Sequence, residues 1–392
     1  MRAARAGGGA GCSSQGTCAE PSLATLPFAP GATAGPLWHA AAMLRVGILG
    51  ASGYMGGEAL RVLLDHPGAE IAWLASRSGD AVDEVHPNLF GLGLRMIRPE
   101  ETTPCDVAFL ALPTAPSIEA AVRLLGQGAK VIDLGAAFRL TDRATWERVY
   151  QQAHPAWALA EEAVYGISEL HGPAIVEARL VANPGCFSSA AILALAPLVR
   201  EGLVDLGHLV VDGLSGTTGV GAELHRAAHH PEIGDNLVPY NVVGHRHTFE
   251  MEQELGRLAG REVRVHFTPT YVPIVRGILA VCHGFLSRRL GRGELLELYR
   301  DFYSDQPFVL VYDRPAETGS AWKYEPYPWV SAVAGTNYCY LGLDVDEGRG
   351  RVVAFGALDS IGKGGAHVGV ENMNLLFGLD RSTGLTRRGQ HP

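Results

Sequence analysis

Long apolar runs, clusters of basic residues and closely spaced cysteine pairs are all missing from this 392-residue chain beyond residue 18. Without a stretch approaching the roughly 20 apolar residues that a membrane helix needs, no membrane partner is expected. Lys and Arg number 32 against 41 Asp and Glu, a net charge of -9 with no Lys/Arg run. A mildly acidic surface repels a phosphodiester backbone, so nucleic acid is not expected as a partner. The six cysteines (Cys12, Cys18, Cys105, Cys186, Cys282, Cys339) are scattered. In a chain of this length, that argues for reduced thiols and a cytoplasmic location rather than a disulfide framework.

What is present supports a large core. Hydrophobic residues make up 47% and charged residues 19%, and the length suits two domains. Residues 1–42 are rich in Ala, Gly, Ser and Pro without a regular period, and are expected to be a disordered extension. An organellar transit peptide is the alternative reading of that segment, which lacks the apolar core of a secretory signal.

From residue 43 short apolar runs alternate with helix-periodic stretches. Strands are predicted at 44–49, 71–75, 107–112 and 131–134, with helices at 54–64 and 117–125. This β-α-β alternation predicts a doubly wound parallel sheet over residues 43–184. After about residue 184 extended segments dominate: a helix at 190–200, then strands at 208–213, 263–270, 279–286 and 338–345. That pattern suits a second, α+β domain over 185–358 with a mostly antiparallel sheet. A last helix at 366–377, within a 359–378 segment, is placed to return to the first domain.

Gly50-Ala51-Ser52-Gly53-Tyr54-Met55-Gly56 follows the first strand and opens the first helix. Glycines there allow a tight turn and bring backbone N–H groups against a pyrophosphate at the helix N-terminus, so these residues are the dinucleotide candidates. The GxxGxxG spacing alone also fits an ordinary turn; the strand-turn-helix context favours the cofactor. NAD-specific sites place a carboxylate at the end of the second strand. Here that strand ends in Ser76-Arg77-Ser78, whose hydroxyls and guanidinium suit the 2′-phosphate of NADP(H); a solvated loop cation is the blander reading of Arg77.

Asn183-Pro184-Gly185-Cys186 precedes an apolar helix. A thiol at a helix start meets the positive end of the macrodipole, which is expected to lower its pKa and make Cys186 a nucleophile. Cys105 and Cys282, in apolar strand contexts, are expected to be core thiols.

The set Gly50–Gly57, Asp133-Leu134-Gly135-Ala136-Ala137-Phe138-Arg139-Leu140, Tyr165-Gly166, Asn183–Cys186, Gly244-His245-Arg246-His247-Thr248 and Arg276-Gly277 resembles the N-acetyl-gamma-glutamyl-phosphate reductase family from residue 43 to about 378. The resemblance implies a Rossmann-type NADP domain plus a catalytic and oligomerisation domain, an acyl phosphate substrate and a homodimer or homotetramer. It implies His245 as acid/base, with His247 the alternative if the segment is a strand, and Arg139, Arg246 and Arg276 as phosphate-binding candidates. Position 137 lacks the acid usual in this family. Ser360 stands where an Asn is common, and is expected to hydrogen-bond the nicotinamide amide.

Such a set would form a thioester on Cys186, reduce it, and protonate the thiohemiacetal oxygen from a histidine titrating near neutrality. A sister reductase acting on the one-methylene-longer aminoadipyl phosphate is the nearest rival. A cysteine hydrolase would have no use for the glycine loop, and an NADP(H) sensor would not need the poised thiol. A zinc site at His245, His247, His229 and His230 is the metal alternative; no metal is expected.

Overall fold

The computed structural model describes residues 43–313, 327–385 and 387–389, so the disorder expected for 1–42 lies outside the described residues. The first half runs β1 (Leu44–Leu49), α1 (Tyr54–Leu63), β2 (Ala69–Ala75), α2 (Val82–Val85), β3 (Val107–Leu110), α3 (Thr114–Gly126) and β4 (Lys130–Asp133). It continues through α4 (Arg143–Tyr150), α5 (Trp157–Glu162), β5 (Val164–Tyr165), α6 (Ser168–Glu177) and β6 (Leu180–Ala182). The six strands form one parallel sheet in the order β2-β1-β3-β4-β6-β5. Every residue of β3 is buried, as a strand covered on both faces requires. Strand order reverses between β1 and β3, and open α/β sheets bind ligands at the carboxyl ends of the strands at such a point.

The second half begins with α7 (Cys186–Arg200), β7 (Leu209–Ser215), α8 (His230–Ile233), β8 (Val238–Pro239), α9 (Arg246–Ala259) and β9 (Val265–Tyr271). Then come β10 (Ile278–Phe285), α10 (Arg292–Phe302), β11 (Val309–Val311), β12 (Cys339–Asp346), β13 (Arg351–Leu358) and α11 (His367–Leu376). Seven strands make a mixed sheet in the order β11-β12-β13-β10-β7-β9-β8. Four of its six pairings are antiparallel, while β11–β12 and β7–β9 are parallel.

Helix α7 is apolar on all sides because it is packed on all sides. Residues 187–199 are buried between the mixed sheet and α9. It starts four residues earlier than the periodicity suggested, with Cys186 as its first residue and Gly185 as its cap. Helix α11 packs in the core of the first sheet, through Val370, Met373 and Leu376.

Among the described residues, helices pack on one face of the mixed sheet. On the other, Leu214 lies opposite Leu279 and Val281 opposite Phe355, all of them only half-buried. Among the described residues, no helix is long and apolar enough to cross a membrane.

Candidate active site

The dinucleotide loop is built by backbone geometry. The N–H groups of Gly50 and Ala51 both donate to the Ala75 carbonyl, at 2.9 and 3.1 Å, tying the end of β1 to the end of β2. Gly50 sits at φ +89, which an L side chain rarely adopts. A Cβ on Gly56 would lie 2.3 Å from the Gly50 carbonyl oxygen, so the first turn of α1 can close on the loop only without one. Helix α1 has no side-chain cap at Gly53 and no acid in its first turn, leaving its N–H groups and dipole open to an anion. Ser52, Tyr54 and Met55 line the same turn and are not buried. At the end of β2 the Ser76 and Ser78 hydroxyls are 3.1 Å apart. Arg77 is exposed beside them and has no partner among the described residues.

Cys186, at the N-terminus of α7, is half-buried. Burial pushes its thiol up, while the Arg139 guanidinium, the Phe187 N–H and Arg246 pull it down; the net direction is upward. This reverses the expectation drawn from the helix start alone. Desolvation of a thiolate outweighs one N–H and two guanidinium groups. Of the two thiols expected in the core, Cys282 is buried in β10, whereas Cys105 is only half-buried and lies in the loop before β3; burial raises both, Cys105 to about 11.

The His-Arg-His segment is the start of a helix, not a strand. His245 caps α9, its Nδ1 accepting the His247 N–H at 3.1 Å. That bond places the ring proton on Nε2. Burial, then Arg246, lowers its pKa to about 4, so the imidazole is neutral near pH 7. His247 turns inward, and a Cβ on Gly185 would lie 2.4 Å from its Nε2, so glycine before Cys186 is what lets this ring pack there. Its pKa is also held well below the usual value, chiefly by burial.

Glu250, one turn further along α9 and fully buried, was not singled out from sequence. Its Oε2 accepts the Gly185 N–H at 2.9 Å and the Tyr165 hydroxyl at 2.7 Å, and its Oε1 accepts Arg139 Nη1 at 3.2 Å. The available signal was spacing. Positions 247, 250, 251, 254 and 255 form one helical stripe, and they are the buried face of α9.

The three candidate cations divide. Arg139 is buried, pairing with Glu250 and donating to the Leu134 carbonyl. Arg276 pairs with Glu58 and Asp359. Arg246 is exposed, acts on Cys186 and has no ion-pair partner among the described residues. The Ser360 hydroxyl is engaged with Thr218 Oγ1 at 2.9 Å and the Gly277 N–H at 3.0 Å. A cleft of about 890 Å³ opens between α1 and the 217–230 loop, lined by Tyr54, Glu58 and Arg276, and Cys186 is not on its wall. Among the described residues no three His, Cys, Asp or Glu side chains are placed to hold a metal. His229 and His230 are exposed.

The buried histidines set an acid limit. His245 and His247, with His66 and His154, all have pKa values lowered chiefly by burial. Below about pH 6.5 the unfolded chain binds protons that the fold refuses. The stability that these neutral rings contribute is therefore full above that pH and is lost as pH falls, for His245 by about 1.4 kcal/mol per unit down to about pH 4. Urea midpoints measured from pH 8 to pH 5 should fall; a rising midpoint would contradict this.

Two family models match the chain. The semialdehyde dehydrogenase NAD binding domain covers residues 45–178, and the semialdehyde dehydrogenase dimerisation domain covers 186–360. Among solved structures, aspartate semialdehyde dehydrogenase II of Vibrio cholerae, complexed with ASA, shares the fold at TM-score 0.62. It is 17% identical over 86% of this chain and 99% of that one. The Candida albicans enzyme, solved with NADP, is 16% identical with TM-score 0.61, over 86% and 98%. N-acetyl-gamma-glutamyl-phosphate reductase of Pelotomaculum thermopropionicum is 43% identical over 89% of this chain and 99% of its own length. That of Methanopyrus kandleri is 44% identical over 89% and 100%. With such identity over nearly full length on both sides, on this fold and with these loops, the chain belongs to the N-acetyl-gamma-glutamyl-phosphate reductase family.

Proposed function

We propose that the chain reduces N-acetyl-gamma-glutamyl phosphate to the semialdehyde with NADPH, releasing inorganic phosphate, as a step of arginine biosynthesis in the cytoplasm. The observation that carries the chemistry is Cys186 at the first position of a buried helix, in the field of an unpaired guanidinium, with a neutral histidine edge-on to the next residue, Phe187. The Cys186 sulfur attacks the acyl carbon, the C–O bond to phosphate breaks, and Arg246 meets the departing anion. Arg139 supports this field from its pair with Glu250. The nicotinamide cofactor, when bound at Gly50, Ser52, Gly53, Tyr54, Met55 and Gly56, supplies the two electrons that reduce the thioester. Neutral and with its proton on Nε2, His245 donates a hydrogen bond, not a proton, to the developing oxyanion, and is not set to take the thiol proton. Water takes that proton, so reduction should speed up as pH rises. Cys186 leaves as the C–S bond breaks and the aldehyde is released.

The test runs the reaction backward, with NADP⁺, phosphate and either N-acetylglutamate semialdehyde or its one-carbon-longer homologue. Preference for the shorter aldehyde supports the reading. One methylene is worth about 1–3 kcal/mol, so a preference of roughly 10-fold or more for the longer one would move the chain to the aminoadipyl branch.

Cofactor choice rests on Arg77. Replacing it by Ala should weaken NADPH roughly 10-fold or more and leave NADH nearly unchanged, because only NADPH carries the 2′-phosphate. Equal losses in fluorescence titrations with the two cofactors would remove Arg77 from the site.

The half-buried apolar stripe on the mixed sheet is the proposed contact between copies in a homodimer or homotetramer. Val281→Glu should shift the light-scattering mass toward the monomer; an unchanged mass would place the contact elsewhere.

A further inference from the structure

Between β13 and α11 the chain makes one turn of π-helix, Gly362–Ala366. The Gly364 N–H donates to Asp359 and the Ala366 N–H to Ile361, each to a carbonyl five residues back. Its two middle glycines face different elements. A Cβ on Gly364 would lie 2.7 Å from the Cβ of Cys186, and one on Gly365 would lie 2.4 Å from the Met55 sulfur on α1. The Gly365 carbonyl also accepts Asn183 Nδ2 at 2.8 Å, from the segment that leads into the nucleophile. The turn is thus wedged between the thiol helix and the helix that opens the dinucleotide loop.

Lys363 anchors it. The side chain is 1% exposed, and its ammonium donates to Glu169 at 2.6 Å and to Glu371 at 2.7 Å. Glu371 also binds Arg381, Ser168 and Asn337, which closes a charge-balanced buried cluster. Burial alone would push Lys363 down, and the two carboxylates hold it up as a charged ammonium. An apolar side chain would fill such a site at lower desolvation cost, so the charges fix geometry rather than add stability. Lys363 and Glu371 stand eight residues apart on one continuous helical segment. In a regular α-helix that separation is roughly 80° past two full turns, and the wider π turn takes up the excess. The ion pair therefore holds the π turn, and the π turn keeps both glycines on their contacts.

We infer that Lys363 is a positioning residue for the reduction, holding the π turn that sets the spacing between Cys186 and the bound cofactor. This rests on the thioester reading above, which wild-type reverse turnover and Cys186 labelling test separately. Removing Lys363 alone would strand two buried carboxylates against one arginine, so the working variant is Lys363→Met with Glu169→Gln, which leaves the Glu371–Arg381 pair neutral. An ångström of misplacement can cost on the order of 100-fold in rate.

In the reverse assay kcat should fall at least 10-fold. NADPH affinity and the rate of Cys186 alkylation should stay within about twofold of wild type. The isotope effect with aldehyde deuterated at the carbonyl carbon should rise as that step becomes limiting. Wild-type kcat per folded molecule would overturn the inference, and so would a loss of kcat matched by loss of both binding and alkylation. If the double variant does not fold, Gly365→Ala carries the test. Its added methyl displaces only the flexible end of Met55, and the same fall in kcat with alkylation retained is expected. Unchanged kcat there sinks the proposal.

Discussion

Cys186→Ser should lower turnover by at least about a thousand-fold while NADPH binds as before. Removal of a covalent nucleophile in other enzymes costs that much or more. A serine hydroxyl keeps the size and the helix start but is a far poorer nucleophile near pH 7, and no base stands ready for it. His245 carries its proton on Nε2, because Nδ1 holds the His247 N–H. The dinucleotide loop belongs to β1 and α1, and a single-atom change at Cys186 leaves its turn untouched. The two readouts must therefore separate: fluorescence titration unchanged, reduction lost. Turnover within 10-fold of wild type would dismiss the thioester. Loss of NADPH binding would show that the thiol helix shapes the cofactor site, which the backbone contacts argue against.

The same variant bears on the direction of the thiol pKa. In the free chain Cys186 is a protonated, partly desolvated group, so iodoacetamide should alkylate it slowly at pH 7 and faster above the ordinary thiol range. Serine at 186 should abolish labelling of the peptide that carries this position, which keeps the readout apart from Cys12 and Cys18; Cys105, Cys282 and Cys339 are pushed up by burial as well.

What the sequence made legible follows from the length scale of each signal. The alternation of short apolar runs with amphipathic stretches located β1, α1, β3, α3 and β4, because one period per element is a local property. Strands β5 and β6, of two and three residues, were not legible, since so short a run carries no periodicity. Helix α9 was missed for a different reason. Its buried face is made of His247, Glu250 and Glu254 beside Met251 and Leu255, so an apolar-stripe criterion sees half of it. The candidate site shows the same division. Cys186 and the glycine loop were visible because a helix start and a tight turn have local signatures. That Arg276 pairs with Glu58 and Asp359, across 218 and 83 residues, is a tertiary fact. The upward thiol shift is likewise invisible to local reasoning, because a helix terminus is read from neighbours in sequence and desolvation from neighbours in space.

Glu250 is the residue whose loss should disturb the most at once. Glu250→Ala leaves the buried Arg139 without its carboxylate and the Gly185 N–H and Tyr165 hydroxyl without their acceptor. Breaking a buried pair from one side costs about 3–5 kcal/mol, so the urea midpoint should drop sharply or the protein should fail to accumulate. Glu250→Gln is the more informative change. A carboxamide keeps the shape but offers one acceptor oxygen where the carboxylate offered two, so at least one of its three donors goes unpaired, at about 1–3 kcal/mol. Its effects on the thiol and on the reaction should run in opposite directions. Burial is the main force raising the Cys186 pKa, and the Glu250 charge adds to it, so the neutral variant should ionise more readily and be alkylated faster at pH 7. The amide oxygen can still serve the Gly185 N–H and the Tyr165 hydroxyl, so Arg139 is the donor left over. Turnover should nevertheless fall on the order of 100-fold as the released guanidinium shifts the approach to the nucleophile. A thiol that becomes more reactive while the enzyme becomes slower would show that rate here is limited by where the sulfur is held. Turnover that rises along with alkylation would show instead that ionisation of Cys186 is limiting and that Glu250 only restrains it.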